Sequence, residues 1–200
     1  MYYSYRTIEA KARSIITQHC RDCINGSKAV PIEELAEKVF GLSIEYQYLT
    51  KYGQSVLGKL ICKNGVTTYY DAENNCYGYL PVEGNTILIE ARLLEDKGNY
   101  GRYRFTIAHE LAHWILHRDI ILAYPESEAT YTEIIIDNKL EQQADYMAAE
   151  LLMPLSAIKR YYYNTASREA NIEKCIDEMA EHFGVSRQAL KIRLERHKMI

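Results

Sequence analysis

The segment His109-Glu110-Leu111-Ala112-His113 has the pattern His-Glu-x-x-His and lies in a stretch, residues 105–117, with the apolar spacing of an amphipathic helix. Positions i and i+4 share one face of a helix, so the two imidazoles can converge on one cation. Glu110 lies about 100° round the helix, where a carboxylate can accept a proton from an activated water. The motif therefore predicts a zinc peptidase, and the alternative is a pair of ordinary core or surface histidines.

The overall composition favours one main domain, with room for a small appendage. The chain has 200 residues, 48% of them hydrophobic, and a formal net charge of −3, which argues against a globally basic nucleic-acid binder. Charged side chains occur throughout residues 1–20, and no apolar run reaches the length of a membrane span. We expect a cytoplasmic protein without a membrane segment.

The five cysteines do not predict a disulfide framework, because their number is odd and no secretion signal precedes them. We expect most of them to be reduced thiols. Cys20 and Cys23 could form a four-cysteine zinc site with Cys62 and Cys76, but thirteen residues separate the second pair, unlike a zinc knuckle. The alternative is that they are small buried side chains or exposed thiols.

The order of predicted elements is that of an α+β fold. Apolar spacing predicts N-terminal helices at 5–20 and 31–40, the second starting at Pro31 and ending before Gly41. Between residues 43 and 90 the period changes to two, which predicts a small, mostly antiparallel meander. Its strongest β-rich runs are 56–62, 66–70 and 86–90, and residues 95–104 are predicted to be the loop that leads into the motif helix.

The C-terminal half is predicted to be mainly helical. A loop of about twenty residues after His117 is either a wall of the substrate cleft or a surface excursion with a short strand at 132–136. We divide the chain into a zincin-like domain, residues 1–154, and a C-terminal helical extension, residues 155–200, packed on it. The helices that follow the loop are predicted at 140–153, 155–163, 172–183 and 187–198.

Catalytic zinc takes three protein ligands as a rule, so the two histidines need a third. Glu141 and Asp145 lie at i and i+4 at the start of a predicted helix, so Glu141 could ligate while Asp145 orients a ligand histidine. However, Asn138 and Glu141 also have capping-box spacing. His117 is a rival ligand, although it lies eight residues from His109, or about 12 Å along a straight helix.

An oxyanion stabiliser is not evident from the motif itself. Tyr124, Tyr131 and His117 are candidates because they lie on or near the predicted cleft loop. The chain has 18 tyrosines, so neither tyrosine is singled out by its residue type.

Three segments together resemble the ImmA/IrrE family of metallopeptidases. They are Arg104-Phe-Thr-Ile-Ala-His-Glu-Leu-Ala-His-Trp-Ile-Leu-His117, Glu141-x-x-Ala-Asp145 and Ala148-Ala-Glu-Leu-Leu-Met-Pro154. The resemblance covers most of the chain and is far more specific than the five-residue motif alone. It implies a gluzincin-like site with Glu141 as the third ligand and Asp145 as the support of a ligand histidine.

The resemblance also implies a biological role. Members of the family are typically intracellular bacterial proteins that cleave a helix-turn-helix repressor and so derepress genes of a mobile element or a stress response. We therefore expect a zinc endopeptidase whose partner is such a repressor. Two histidines and one glutamate also suit Mn²⁺ or Fe²⁺.

Residues 179–194 resemble a helix-turn-helix, with Gly184 in the turn and Ser186 as the cap of the second helix. Arg187 and Lys191 are the candidate contacts to DNA. The alternative function is therefore a DNA-binding or sensor protein with a non-catalytic metal site. The same pattern is also typical of a helical hairpin that packs on the core through Met179, Phe183, Val185, Leu190 and Leu194, which is the interpretation we favour.

Overall fold

The computed structural model describes residues 2–52, 56–123, 138–166 and 171–200. These residues form an α+β fold, as the sequence predicted. The N-terminal part contains α1 (Tyr5–His19), α2 (Arg21–Ile24) and α3 (Ile32–Glu34), and α3 continues as a π-helical turn over Leu35–Val39. The strands are β1 (Ser43–Gln47), β2 (Gly58–Ile61), β3 (Gly65–Asp71), β4 (Cys76–Val82) and β5 (Thr86–Glu90). Two 3₁₀ turns, Ala91–Leu94 and Lys97–Asn99, precede α4 (Tyr100–Leu122), α5 (Asn138–Leu152), α6 (Leu155–Ala166), α7 (Ile172–Phe183) and α8 (Arg187–Arg196).

The strands do not form the predicted meander. The central strand of a three-stranded sheet is β5, which pairs in parallel with β1 and antiparallel with β2. All five residues of β5 are buried, so both faces of the sheet are covered at this strand. The separate two-stranded sheet consists of β3 and β4, and β4 was missed because Gly78 and Pro81 interrupt its alternation.

The motif helix α4 starts earlier than predicted, so the predicted loop at 95–104 is partly wrong. Gly101 lies inside α4, where a Cβ atom would come within 2.4 Å of the Ser186 backbone nitrogen. Arg104 is also helical, and its guanidinium donates to the carbonyls of Gly184 (3.0 Å) and Val30 (2.5 Å). Gly101 therefore allows α4 to pack closely against the α7–α8 turn, and Arg104 holds the two together through hydrogen bonds.

One large cluster of buried side chains joins the N-terminal helices, the three-stranded sheet and the C-terminal helices. Phe183, Leu190 and Leu194 belong to it, so α7 and α8 pack on the same core as α4 and α5. The division at residue 154 stays a prediction. In the α7–α8 turn, Gly184 has a φ of +60° and Ser186 accepts from the backbone N–H of Ala189 (3.1 Å), which confirms both predicted turn residues.

Several predictions fall on residues beyond the described ranges. Tyr124, Tyr131 and the strand proposed at 132–136 lie in the segment 124–137, which is outside the described residues. Among the helices that the structure does describe, none combines the length and the apolar character required to cross a bilayer.

Candidate metal centre

The site lies between α4 and α5, which pack side by side. His109 and His113 occupy the face of α4 toward α5, and Glu141 lies in the first turn of α5. The Glu141 carboxylate is 3.2 Å from His109 Nε2 and 3.3 Å from His113 Nε2, and the two Nε2 atoms are 3.1 Å apart. Glu141 therefore faces the two histidines.

These three side chains could hold one metal ion. One ligand atom from each lies within 4.8 Å of the others, and no other such group was found among the described residues. Burial alone would raise the pKa of Glu141, but its hydrogen bonds to both histidines hold the pKa well below the usual range. Two imidazoles and one ionised carboxylate are a donor set found in catalytic zinc sites, so the residues fit that metal.

The carboxylate of Glu110 is buried beside the three candidate ligands, on the side that faces β2. Burial raises the pKa of Glu110, while the attraction of His109 and His113 and a hydrogen bond from the Leu60 backbone N–H oppose that effect. Its Oε2 atom is buried and has no hydrogen-bond partner. A buried carboxylate oxygen without a donor is costly, and a water or substrate group can relieve that cost.

Sequence reasoning missed the part of β2 that contacts Glu110. A Cβ atom at Gly58 would lie 2.9 Å from Glu110 Oε1 and 2.6 Å from Thr106 Cγ2, so only glycine leaves the carboxylate in place. The available signal was an isolated glycine inside a β-rich run, which often marks a close approach.

Asp145 lies behind His109, one turn after Glu141 on α5. His109 Nδ1 is 3.0 Å from the Asp145 carboxylate. Burial alone would lower the pKa of His109, but hydrogen bonds to Asp145 and Glu141 raise it to about 10. The carboxylates of Glu141 and Asp145 therefore favour a positive charge at His109. A bound metal ion can supply that charge in place of a proton.

His117 does not join the three candidate ligands. Its ring is fully buried, and its Nδ1 lies 3.1 Å from Nδ1 of His113, on the side of that ring opposite Glu141. Its Nε2 lies 3.2 Å from the side-chain oxygen of Gln143. Burial lowers the pKa of His117 to about 4, so the ring is neutral near pH 7. The geometry thus places His117 behind His113, in a supporting position.

The cysteines do not gather into a second metal site. Cys20 and Cys23 are joined by a disulfide, whereas Cys62, Cys76 and Cys175 are free, as the expectation of mostly reduced thiols allows. Cys62 follows β2 and is buried, and burial raises its pKa to about 11. Cys76 begins β4 in the other sheet and is exposed. Among the described residues, the group arranged to hold a metal ion contains no cysteine, so the four sulfurs do not form a second site.

The two candidate DNA contacts differ in their surroundings. Arg187, at the start of α8, forms ion pairs with Glu173 and with Asp177, the latter at 3.2 Å. Lys191 is exposed. Arg193, elsewhere on α8, is buried: it pairs with Glu150 at 2.6 Å, and its side chain is 1% exposed.

The arrangement as a whole, with His-Glu-x-x-His on one helix and a glutamate on the next, resembles a gluzincin-like metallopeptidase centre. Residues 73–195 match the family model described as the IrrE N-terminal-like domain, Peptidase M78. Because the match covers more than half of the chain, the protein belongs to this metallopeptidase family.

The chain is also similar to two other proteins. A Mycoplasma pneumoniae protein named "Uncharacterized protein MG377 homolog" is 24% identical over 116 residues, which are 55% of this chain and 60% of that protein. A solved structure titled "Mycobacterium tuberculosis transcriptional regulator" has a TM-score of 0.50 and 14% identity, over 94% of this chain and 46% of the regulator. The chain thus spans 60% of the first protein and 46% of the second, and the second similarity concerns the fold alone.

Proposed function

We propose that the protein is a zinc-dependent endopeptidase in which His109, His113 and Glu141 hold the metal and Glu110 is the general base. The observation that carries the proposal is the unpartnered, buried Oε2 atom of Glu110 next to a cluster of three candidate ligands. Membership in the Peptidase M78 family supports the same reaction class.

The proposed reaction is hydrolysis of a peptide bond. A zinc ion at this site would polarise the scissile carbonyl and make a water molecule more acidic. Glu110 takes a proton from the attacking water and passes it to the leaving amine. Gly58 and the Leu60 N–H keep the carboxylate in place during both transfers. Asp145 holds the ring of His109 in one orientation.

For the substrate, we propose a helix-turn-helix repressor whose cleavage derepresses the genes of a mobile element or a stress response. The support is the resemblance of the motif segments to the ImmA/IrrE family, whose members act in this way inside bacterial cells. A cytoplasmic location follows from the same proposal.

The test combines metal analysis with incubation against the regulator encoded by the neighbouring gene. We expect about one zinc per chain and cleavage by the wild type. Glu110→Gln should retain zinc and lose at least about 100-fold in rate, the usual scale for a general base. Glu181→Gln, a matched change on the exposed side of α7, should leave both unchanged. Full activity in Glu110→Gln would refute the general-base assignment, and absence of zinc would refute the metal site.

The DNA-binding alternative is tested separately. The acidic partners of Arg187 already compensate its charge, so we expect the double variant Arg187→Ala/Lys191→Ala to bind duplex DNA as weakly as the wild type. Salt-sensitive DNA binding that the double variant loses would instead favour α8 as a recognition helix.

A further inference from the structure

A chain of four polar groups extends from His113 away from the candidate ligands. His113 Nδ1 lies 3.1 Å from His117 Nδ1, and His117 Nε2 lies 3.2 Å from Gln143 Oε1. The Gln143 amide nitrogen then donates to the backbone carbonyl of Tyr3 at 3.0 Å. Both rings and the amide are buried, with at most 6% of each residue exposed, so water does not compete for these bonds.

The direction of this chain is fixed by its last member. The Tyr3 carbonyl can only accept a hydrogen bond, so the amide nitrogen of Gln143 faces it and the amide oxygen faces His117. The oxygen needs a donor, so the proton of neutral His117 is on Nε2 and its Nδ1 is an acceptor. That acceptor requires a donor at Nδ1 of His113.

The consequence concerns the other nitrogen of the His113 ring. A neutral imidazole with its proton on Nδ1 has a free lone pair on Nε2. This is the atom that faces Glu141 and His109. The other tautomer of His113 would place a proton on its Nε2 atom, where it would exclude a metal ion. It would also reverse every hydrogen bond along the series, so that the side-chain oxygen of Gln143 would face the carbonyl oxygen of Tyr3, and both are acceptors.

We propose that His117 and Gln143 are positioning residues that fix His113 in the tautomer able to bind the metal. The inference rests on the proposed metal site. It gives the two ligand histidines different supports. His109 is supported by the carboxylate of Asp145, whose side chain is 60% exposed. Buried His113 is supported instead by the uncharged side chains of His117 and Gln143. A neutral support suits the interior, because an added buried carboxylate would carry a desolvation cost.

The direct test is long-range ¹H–¹⁵N NMR of the histidine rings in the wild type. We expect the Nε2–H tautomer at His117 with and without zinc, and the Nδ1–H tautomer at His113 in the zinc-loaded protein. An Nδ1–H tautomer at His117 would overturn the proposal, and this measurement does not depend on the folding of any variant.

A second test measures zinc affinity by competition with a chelator. His117→Phe keeps an aromatic ring but removes the acceptor, and we expect affinity to fall about 10- to 100-fold, as for other supports of metal ligands. His117→Gln restores an acceptor oxygen and should recover part of the loss. His182→Phe is the matched control, because His182 bonds to the Gly26 carbonyl far from the site, and its affinity should be unchanged.

The outcomes separate the two proposals. If the wild type binds no zinc, or binds it independently of His109 and Glu141, the proposed metal site fails. If zinc binding depends on those ligands and His117→Phe binds as tightly as the wild type, only the positioning role is refuted.

Discussion

Replacing Arg193 by methionine should destabilise the fold strongly, because the guanidinium is the partner of a buried carboxylate. Arg193 and Glu150 form an ion pair at 2.6 Å, and their side chains are 1% and 3% exposed. Arg193 also donates to the Met153 carbonyl at 3.2 and 3.3 Å. Arg193→Met fills a similar volume but leaves the Glu150 carboxylate unpaired in the interior and the carbonyl without this donor.

The expected loss follows from that burial. Removing one partner of a buried pair costs about 3–5 kcal/mol, which is a large part of the roughly 5–15 kcal/mol that stabilises a typical domain. For a chain of this size the melting temperature should fall by about 6–20 °C. The double variant Glu150→Leu/Arg193→Met removes both charges and should lie within about 2 kcal/mol of the wild type, since apolar replacement of a whole pair is often tolerated.

Urea unfolding followed by circular dichroism measures each difference in the free energy of unfolding. The control is Arg187→Met on the same helix, where the arginine is about half exposed and its ion pairs should contribute less than about 1 kcal/mol. A loss below about 1 kcal/mol in Arg193→Met would refute the argument. So would a double variant as unstable as the single one.

Three further predictions concern the glycines and the metal. Gly58→Ala puts a methyl group 2.6 Å from Thr106 Cγ2 and 2.9 Å from Glu110 Oε1, so peptide hydrolysis should fall about 100-fold at unchanged zinc content. Adding Thr106→Ser, which removes the methyl in contact, should recover part of the rate, and no effect of either change would contradict the argument. Gly101→Ala meets the Ser186 backbone at 2.4 Å and should cost about 1–3 kcal/mol in urea unfolding; a loss under about 0.5 kcal/mol would argue otherwise. Zinc at about 100 times its dissociation constant should raise the free energy of unfolding by about 2.7 kcal/mol, and a variant without the ligands should gain nothing.

The parts of the site that sequence could predict are those encoded within one helix. The i, i+4 spacing of His109 and His113 predicts their shared face, which the structure has. Spacing left Glu141 undecided between a ligand and a cap, because the choice depends on how α5 packs against α4. Only the family resemblance favoured the ligand.

The unpredicted parts depend on contacts between distant segments. The contact of Gly58 with Glu110 exists because β2 lies against α4, and local periodicity carries no information about that docking. The same reason explains the wrong meander, since β5 finds its parallel partner β1 more than forty residues earlier in the sequence. Tertiary pairing of this kind overrides what short windows of sequence indicate.

The hydrogen bonds that join distant parts of the chain also bear on how the protein is synthesised. Gln143 bonds to Tyr3 across 140 residues, Ser156 to Ile24 across 132, and His182 to Gly26 across 156. Chains rich in such long-range contacts fold slowly, because their ends must meet first. When α4 has just emerged from the ribosome, the nascent chain contains both motif histidines but not yet Glu141 and Asp145 of α5, which lie beside them in the folded protein. The candidate metal centre is therefore complete only after α5 has also emerged and packed against α4.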